Sequence, residues 1–277
     1  MQDNTEKQLP AFSIAIVNYK TLDLTQICLQ LLKRHIDAGL NAQVWVVDND
    51  SQDESTHYLR SLDWIHLIER RVTEKEPGFM AHGKGLDLIL AEIKTDAVFL
   101  MHTDTFIYDA TVFSMMLNAM QAGDKVAAIG CLHQLNRGYV RTAWRTVNGF
   151  FKYHFRRLKQ SLSLPSRPPK PYIEPYIKSF FALWDVRLMK ELGLQFLMED
   201  RIPSYAMQDI LKSKGYQIKA LSPMRLFQFL DHVEAGTVGL AAGYAEGHRR
   251  LARKKTMLEK LMKQLTGEKQ VGNSIAD

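Results

Sequence analysis

The chain predicts an α/β fold with a mostly parallel sheet and helices on both faces, and three observations carry that prediction. Short apolar runs rich in β-branched residues alternate about five times with segments of helical periodicity. Two of those runs, 43–48 and 97–101, end in polar turns, one with Asn49, Asp50, Ser51 and Asp53, the other with His102, Thr103 and Asp104. The bulk composition, 46% hydrophobic and 24% charged, is that of a globular protein able to bury a full core. In an open parallel sheet, ligands bind beyond the carboxyl ends of the strands, where both turns would lie. Either turn alone also suits a solvated bend, because Asp, Asn and Ser favour turns for backbone reasons.

Residues 12–18 form an apolar, β-branched strand, and Leu24, Ile27, Leu31 and His35 mark a helix that Gly39 ends. After the strand 43–48, Ser51 and Glu54 make a capping-box pattern opening a helix to about Leu62. A third strand covers 65–69. Leu86, Ile89, Leu90 and Ile93 mark the next helix, followed by strand 97–101, helix 112–120 and strand 126–131. From 132 to 179 regularity breaks down. The stretch 152–170 holds several Lys and Arg, three prolines and no acid, the composition of an exposed loop or flap. Regularity returns with strand 180–185, helix 186–192 before Gly193, helix 204–214 before Gly215, and strand 217–221. A last amphipathic helix over 241–277 sets Leu251, Leu258, Leu261, Met262 and Leu265 among Arg and Lys. This organisation places one domain at 1–240 and a basic helical appendage at 241–277.

The polar start lacks the basic and apolar regions of a signal peptide, and no apolar run is long enough to span a bilayer, so a cytoplasmic location is expected. Cys28 and Cys131 each sit in an apolar stretch and read as buried reduced thiols. The net charge of +6 is concentrated in 152–170 and 241–277. It suits a polyanionic partner, yet no nucleic-acid recognition motif accompanies it, so none is expected.

Several residues have the chemistry of a nucleotide site. Asp48, Asn49 and Asp53 are carboxylates and an amide at a strand end, suited to reading base and ribose groups. The first strand runs into Asn18, Tyr19 and Lys20 with no glycine, which excludes the dinucleotide fingerprint and the P-loop. Glycines come later, at 78, 83 and 85, at the entrance of a helix whose backbone amides, with Lys84, suit a phosphate. Equally, Gly83 and Gly85 can simply shape a tight turn beside a solvated Lys84.

Four segments in order, 13–19, 46–55, 78–81 and 99–105, resemble the family 2 nucleotide-sugar glycosyltransferases of GT-A fold, nearest to bacterial rhamnosyltransferase-like and surface-polysaccharide members. The resemblance covers 12–131 well and 180–239 more loosely. It implies an inverting transfer of a hexosyl or deoxyhexosyl group from a nucleotide-diphosphate sugar to a carbohydrate or lipid-linked glycan acceptor. Asn18, Asp48, Asn49, Asp53, Gly78, Lys84, His102 and Thr103 would then hold the donor. The His102-Thr103-Asp104 turn stands where the family has its Asp-X-Asp metal motif; Asp104 matches it and His102 departs from it. His232, in a segment similar to a late His-X-X-X-Gly-Thr pattern, would be a further metal or diphosphate contact. With imidazole among the ligands, Mn²⁺ is expected to serve better than Mg²⁺.

The acceptor base of the family matches Asp209, in a Gln208-Asp209 pair where Glu-Asp is usual, with Glu199 and Asp200 as rivals. An acid near a helix start also simply complements the helix dipole. The helix over 241–277 suits either an anionic membrane surface or packing on its own domain or a partner. A sugar nucleotidyltransferase is a same-fold alternative, although residues 18–20 lack its glycine-rich first loop. A non-catalytic basic binding protein, or an inactive member retaining only binding, is another. Sugar, base, acceptor, linkage and oligomeric state are not written in the sequence.

Overall fold

The computed structural model describes residues 10–135 and 138–233. The expected helix at 241–277, and the part of the first domain beyond 233, lie outside the described residues. In chain order the elements are β1 (Phe12–Asn18), α1 (Leu22–Asp37), β2 (Ala42–Asn49), α2 (Glu54–Arg60), β3 (Ile65–Arg70), α3 (Gly78–Glu92), β4 (Ala97–His102), β5 (Thr105–Ile107), α4 (Thr111–Gln121), β6 (Val126–Cys131), α5 (Tyr139–Ser161), β7 (Phe181–Asp185), α6 (Val186–Glu191), α7 (Tyr205–Ser213), β8 (Gln217–Leu221), α8 (Pro223–Leu226) and β9 (Leu230–His232).

Seven strands form one sheet in the order β3-β2-β1-β4-β7-β6-β8. Every pairing in it is parallel except those of β7, which runs antiparallel to both β4 and β6. The chain enters β7 from the carboxyl edge of the sheet, so the segment just before it, 176–180, lies along that edge. One face carries α1, α2 and α4 over Phe12, Phe99, Phe113 and Phe181, whose rings contact one another. The other face carries α3, α6 and α7 around Trp184, Leu100 and Met207. Alternate residues of each strand feed alternate faces, and β1 and β6 are buried along their whole length, which explains why they are largely apolar.

Two helical details differ from the sequence expectation. Ser51 does not cap α2: Asp53 does, accepting from the Ser55 amide at 2.9 Å, because the Ser51 hydroxyl is committed to Asp48. Helix α3 starts at Gly78, so Gly83 and Gly85 fall inside it and do not shape an entrance turn. A Cβ on Gly83 would stand 2.8 Å from the Leu197 Cβ, and one on Gly85 would stand 3.1 Å from Val17 Cγ2. The glycines thus let α3 lie close against β1 and the 196–203 loop. Asp87 of α3 fastens the same loop, accepting from the amides of Phe196 (2.6 Å) and Leu197 (3.1 Å).

The expected flap at 152–170 is also corrected. Residues 139–161 form a 23-residue helix, and the chain becomes irregular only beyond it. Prolines and basic residues give that stretch the composition of a loop, but the prolines come only at 165, 168 and 169, after the helix has ended.

Candidate functional site

Parallel pairing fixes what meets at the carboxyl edge. Asn18 of β1 is opposite Asp48 of β2, and Val17 is opposite His102 of β4. The turns after β2 and β4 therefore emerge on either side of β1 and share one edge, as the transferase expectation requires. Thr21 and Thr103 bring the loops after β1 and β4 to 3.5 Å.

The loop after β2 is organised from within. Asp48, only 2% exposed, accepts from Asn18 Nδ2 (2.8 Å), Ser51 Oγ (2.5 Å) and Thr56 Oγ1 (2.7 Å). Asn18 donates also to Ser55 Oγ at 3.0 Å and accepts from Thr25 Oγ1 at 2.7 Å. Buried polar groups persist when each finds a partner, and this network satisfies them together. Asp48 and Asn18, expected to touch the nucleoside, are the hub of the hydrogen bonds that hold this loop. The strain they support is visible in Lys20, Asp50 and Gln52, all at positive φ. Asn49 is tied to Arg70 Nη1 at 2.6 Å, and Asp53 is the α2 cap. Replacing Asp48 with Ala takes the acceptor from the Ser51 and Thr56 hydroxyls, while Asn18 keeps Ser55. We expect a loss of about 2 kcal/mol or more in urea unfolding, since each stranded polar group costs about 1–3 kcal/mol. A loss under ~1 kcal/mol would show that the network does not hold the loop.

Lys84, expected to meet phosphate, is paired to Glu76 at 2.6 Å, and Glu76 also pairs with Arg70 at 2.5 Å. Gly78 begins α3 with open space around its Cα. Neither residue is drawn into the cluster around Asp104.

That cluster is assembled by a small second sheet. After His102 the chain turns at Thr103 and Asp104 into β5, which pairs antiparallel with β9, Thr105 opposite His232. The Asp104 carbonyl accepts from the Val233 amide at 2.9 Å. Segments far apart in the sequence are thereby locked side by side. His102, Asp104 and His232 each offer a ligand atom, and those atoms lie within 4.8 Å of one another. Asp104 Oδ1 is 3.1 Å from His232 Nε2 and 3.8 Å from His102 Nδ1.

The far nitrogen of His232 is held by the chain. Nδ1 faces the Gln134 carbonyl at 3.0 Å, an acceptor only, so Nδ1 carries a hydrogen and Nε2 is the nitrogen turned to Asp104. Nε2 has no hydrogen-bond partner of good geometry, despite its 3.1 Å approach to Asp104. A carboxylate oxygen this close to an imidazole nitrogen needs a proton or a metal cation between the two. A carbonyl fixing the far nitrogen is also how ligating histidines are held. The donor set thus fits a divalent ion.

His102 Nε2 meets Ser179 Oγ at 3.0 Å. Burial, then His82, holds His102 down to about 3, so its imidazole is neutral at physiological pH. His82 is a residue that sequence reasoning missed. It sits on α3 with its ring edge-on to His102 at 5.1 Å, its Nε2 is buried without a hydrogen-bond partner, and burial lowers it to about 4. The available signal was a histidine flanked by small residues in a helix that must lie close to the sheet.

Farther along the edge, Asp209 of α7 accepts at Oδ2 from Tyr176 Oη and Arg201 Nη2, both at 2.9 Å. The Tyr176 ring stacks on Tyr205 at 4.2 Å, and Lys178 Nζ reaches Tyr205 Oη at 2.5 Å. Gln208 is buried and bridges Ile177: its Oε1 accepts from the Ile177 amide and its Nε2 donates to the Ile177 carbonyl. A glutamate could not make the second bond, which accounts for glutamine beside Asp209. Glu199, one rival, is exposed and 3.5 Å from Arg201, and both Glu199 and Asp200 have positive φ.

A central sheet of this order has the GT-A architecture, with a carboxylate and imidazoles converging at its carboxyl edge. The sequence profile of "Glycosyl transferase family 2" matches residues 13–180, and the chain belongs to that family. Among solved structures, the chain is similar to the mannosyltransferase PcManGT from Pyrobaculum calidifontis, crystallised with GDP-Man and Mn²⁺. The identity is 14%, the TM-score 0.54, and the match covers 76% of this chain and 55% of that one. Glucosyl-3-phosphoglycerate synthase from Mycobacterium tuberculosis, in complex with Mn²⁺, UDP and phosphoglyceric acid, matches at 15% identity and a TM-score of 0.48, covering 76% and 68%. TarS 1-349 of S. aureus with UDP-GlcNAc matches at 16% and 0.45, covering 76% and 56%. The chain thus spans little more than half the length of the first structures it matches. No curated protein sequence matches the chain.

Proposed function

We propose that this protein is an inverting glycosyltransferase that moves a hexosyl or deoxyhexosyl group from a nucleoside-diphosphate sugar to a hydroxyl of a carbohydrate or lipid-linked glycan. The observation that carries the reading is the His102-Asp104-His232 cluster beside the loops after β1 and β2. The mannosyltransferase of like fold holds GDP-Man and Mn²⁺, and a nucleotide-diphosphate sugar with Mn²⁺ is the pair we assign here. A donor of rhamnosyltransferase type and a role in surface-polysaccharide synthesis rest on the sequence resemblance. Catalysis belongs to 1–240 in this reading, and 241–277 is an appendage that can bind the inner face of the cell membrane.

Asp104, His102 and His232 would hold the ion, which as a Lewis acid offsets charge on the departing diphosphate. Asn18 and Asp48 fix the loop on which Asn49, Asp50 and Asp53 shape the nucleoside side. Thr103 sets the turn, while Gly78 and Lys84 border the site from α3. Asp209 takes the acceptor proton as the hydroxyl oxygen attacks the anomeric carbon and the bond to the diphosphate oxygen breaks. Arg201 and Tyr176 hold Asp209 by one oxygen, and the other receives the proton.

Thermal melting with UDP, GDP and dTDP, each with Mn²⁺, Mg²⁺ or chelator, tests the reading. One nucleotide should raise Tm, more with Mn²⁺ than with Mg²⁺, and chelator should abolish the shift. Mass spectrometry of a donor panel then identifies the sugar moved. If no nucleoside diphosphate stabilises the protein with either ion, the reading fails.

A further inference from the structure

The longest helix among the described residues has no work to do inside the fold. None of the residues of α5 is buried, although it is 23 residues long. At intervals of three and four, Val140, Trp144, Val147, Phe151, Phe155 and Leu158 share an arc of about 80° at 3.6 residues per turn. Trp144 is 68% and Phe151 65% exposed. An unbroken stripe of large apolar side chains facing water marks a surface that something else covers.

Charge says what covers it. Arg141, Arg145, Lys152, Arg156 and Lys159 run beside the stripe along one flank, and Arg167 and Lys170 come just after the helix. From 125 to 173 there is no Asp or Glu; the next acid is Glu174. The remaining face packs on the returning chain: the Phe150 ring lies 5.3 Å and the Tyr153 ring 5.6 Å from Tyr172, a Cβ on Gly149 would stand 3.0 Å from the Tyr172 Cβ, and Arg156 reaches the Pro168 carbonyl. The apolar stripe is thus held outward by its own buttress.

We propose that α5 is an in-plane docking helix for an anionic lipid bilayer. Phe151, Phe155 and Trp144 enter the boundary between headgroups and acyl chains, and the arginines and lysines extend along it to lipid phosphates. No helix among the described residues is long and apolar enough to cross a membrane, so α5 lies on the surface, roughly 35 Å long at 1.5 Å per residue. Two copies of this chain packed through α5 would bring rows of like charge together, which disfavours self-association. The helix begins five residues after Gln134, whose carbonyl orients His232, so a docked α5 sets the candidate site beside the bilayer. The proposal stands apart from the transferase reading, since it rests on α5 alone.

Vesicle flotation of the full chain tests it. The protein should float with phosphatidylcholine vesicles containing about a third phosphatidylglycerol, stay down with pure phosphatidylcholine, and detach as salt rises. Trp144→Glu with Phe151→Glu, and separately Arg141→Gln with Arg145→Gln and Lys152→Gln, should each lower partitioning at least about tenfold. Because these side chains are exposed, both variants should keep the wild-type Tm and the wild-type response to nucleoside diphosphate and Mn²⁺. Equal flotation with neutral vesicles, or flotation that survives the Trp144 and Phe151 substitutions, would overturn the proposal. So would a wild-type dimer that those substitutions dissociate, which would assign the stripe to a second copy. The nucleotide response is read separately, so loss of either result leaves the other interpretable.

Discussion

Substituting Asp104 with Ala should lower kcat/KM for sugar transfer by at least about a thousandfold, because pre-set charge stabilisation at a leaving group is worth several kcal/mol. The side chain is buried beneath two histidines and supplies the only carboxylate of the cluster. Its removal should also abolish the stabilisation by nucleoside diphosphate that depends on Mn²⁺, while β5 and β9 stay paired through backbone bonds. Calorimetric titration of Mn²⁺ in the presence of nucleotide separates these effects. Retention of ion-dependent binding in the variant would mean that the ion sits elsewhere.

Replacing Asp209 with Asn should leave donor binding intact and cut kcat by about a hundredfold to a thousandfold, the range a positioned general base contributes. Asn keeps an oxygen for Tyr176 Oη and Arg201 Nη2 to donate to, so the local fold is preserved. The diagnostic split is an unchanged KM for donor beside a fallen kcat, measured with hydrolysis of donor as a parallel readout. If kcat holds, Glu199 or Asp200 must be the base, or Asp209 serves only to anchor Arg201.

Much of the framework is legible without coordinates. Strands β1, β2, β4 and β6 are apolar runs of the right length, and burial on both faces leaves that signature in any sequence. The antiparallel course of β7 is not readable, because an apolar strand does not record its direction. Helix α5 escapes notice because its glycine, its basic residues and the prolines beyond it mask a stripe of regular spacing. β5, α8 and β9 are three or four residues long, too short to show a period.

The site divides the same way. Motif positions pick out His102, Asp104 and His232, and the β5–β9 pairing brings them together. They pick out Asp48 too, but its inward orientation depends on Asn18, Ser51 and Thr56, partners that only folding supplies. His82 is overlooked because its relevance is a contact across α3 and β4, not a spacing.

The ion seat we propose, two imidazoles and a carboxylate, is nitrogen-rich, and such seats obey the general ranking of divalent metals, with nickel, copper and zinc held above manganese. Occupancy is then set by supply as much as by preference. Protein taken from a nickel affinity resin can arrive with the seat already filled by the wrong ion, and its measured turnover would record its purification history until it is stripped and reloaded.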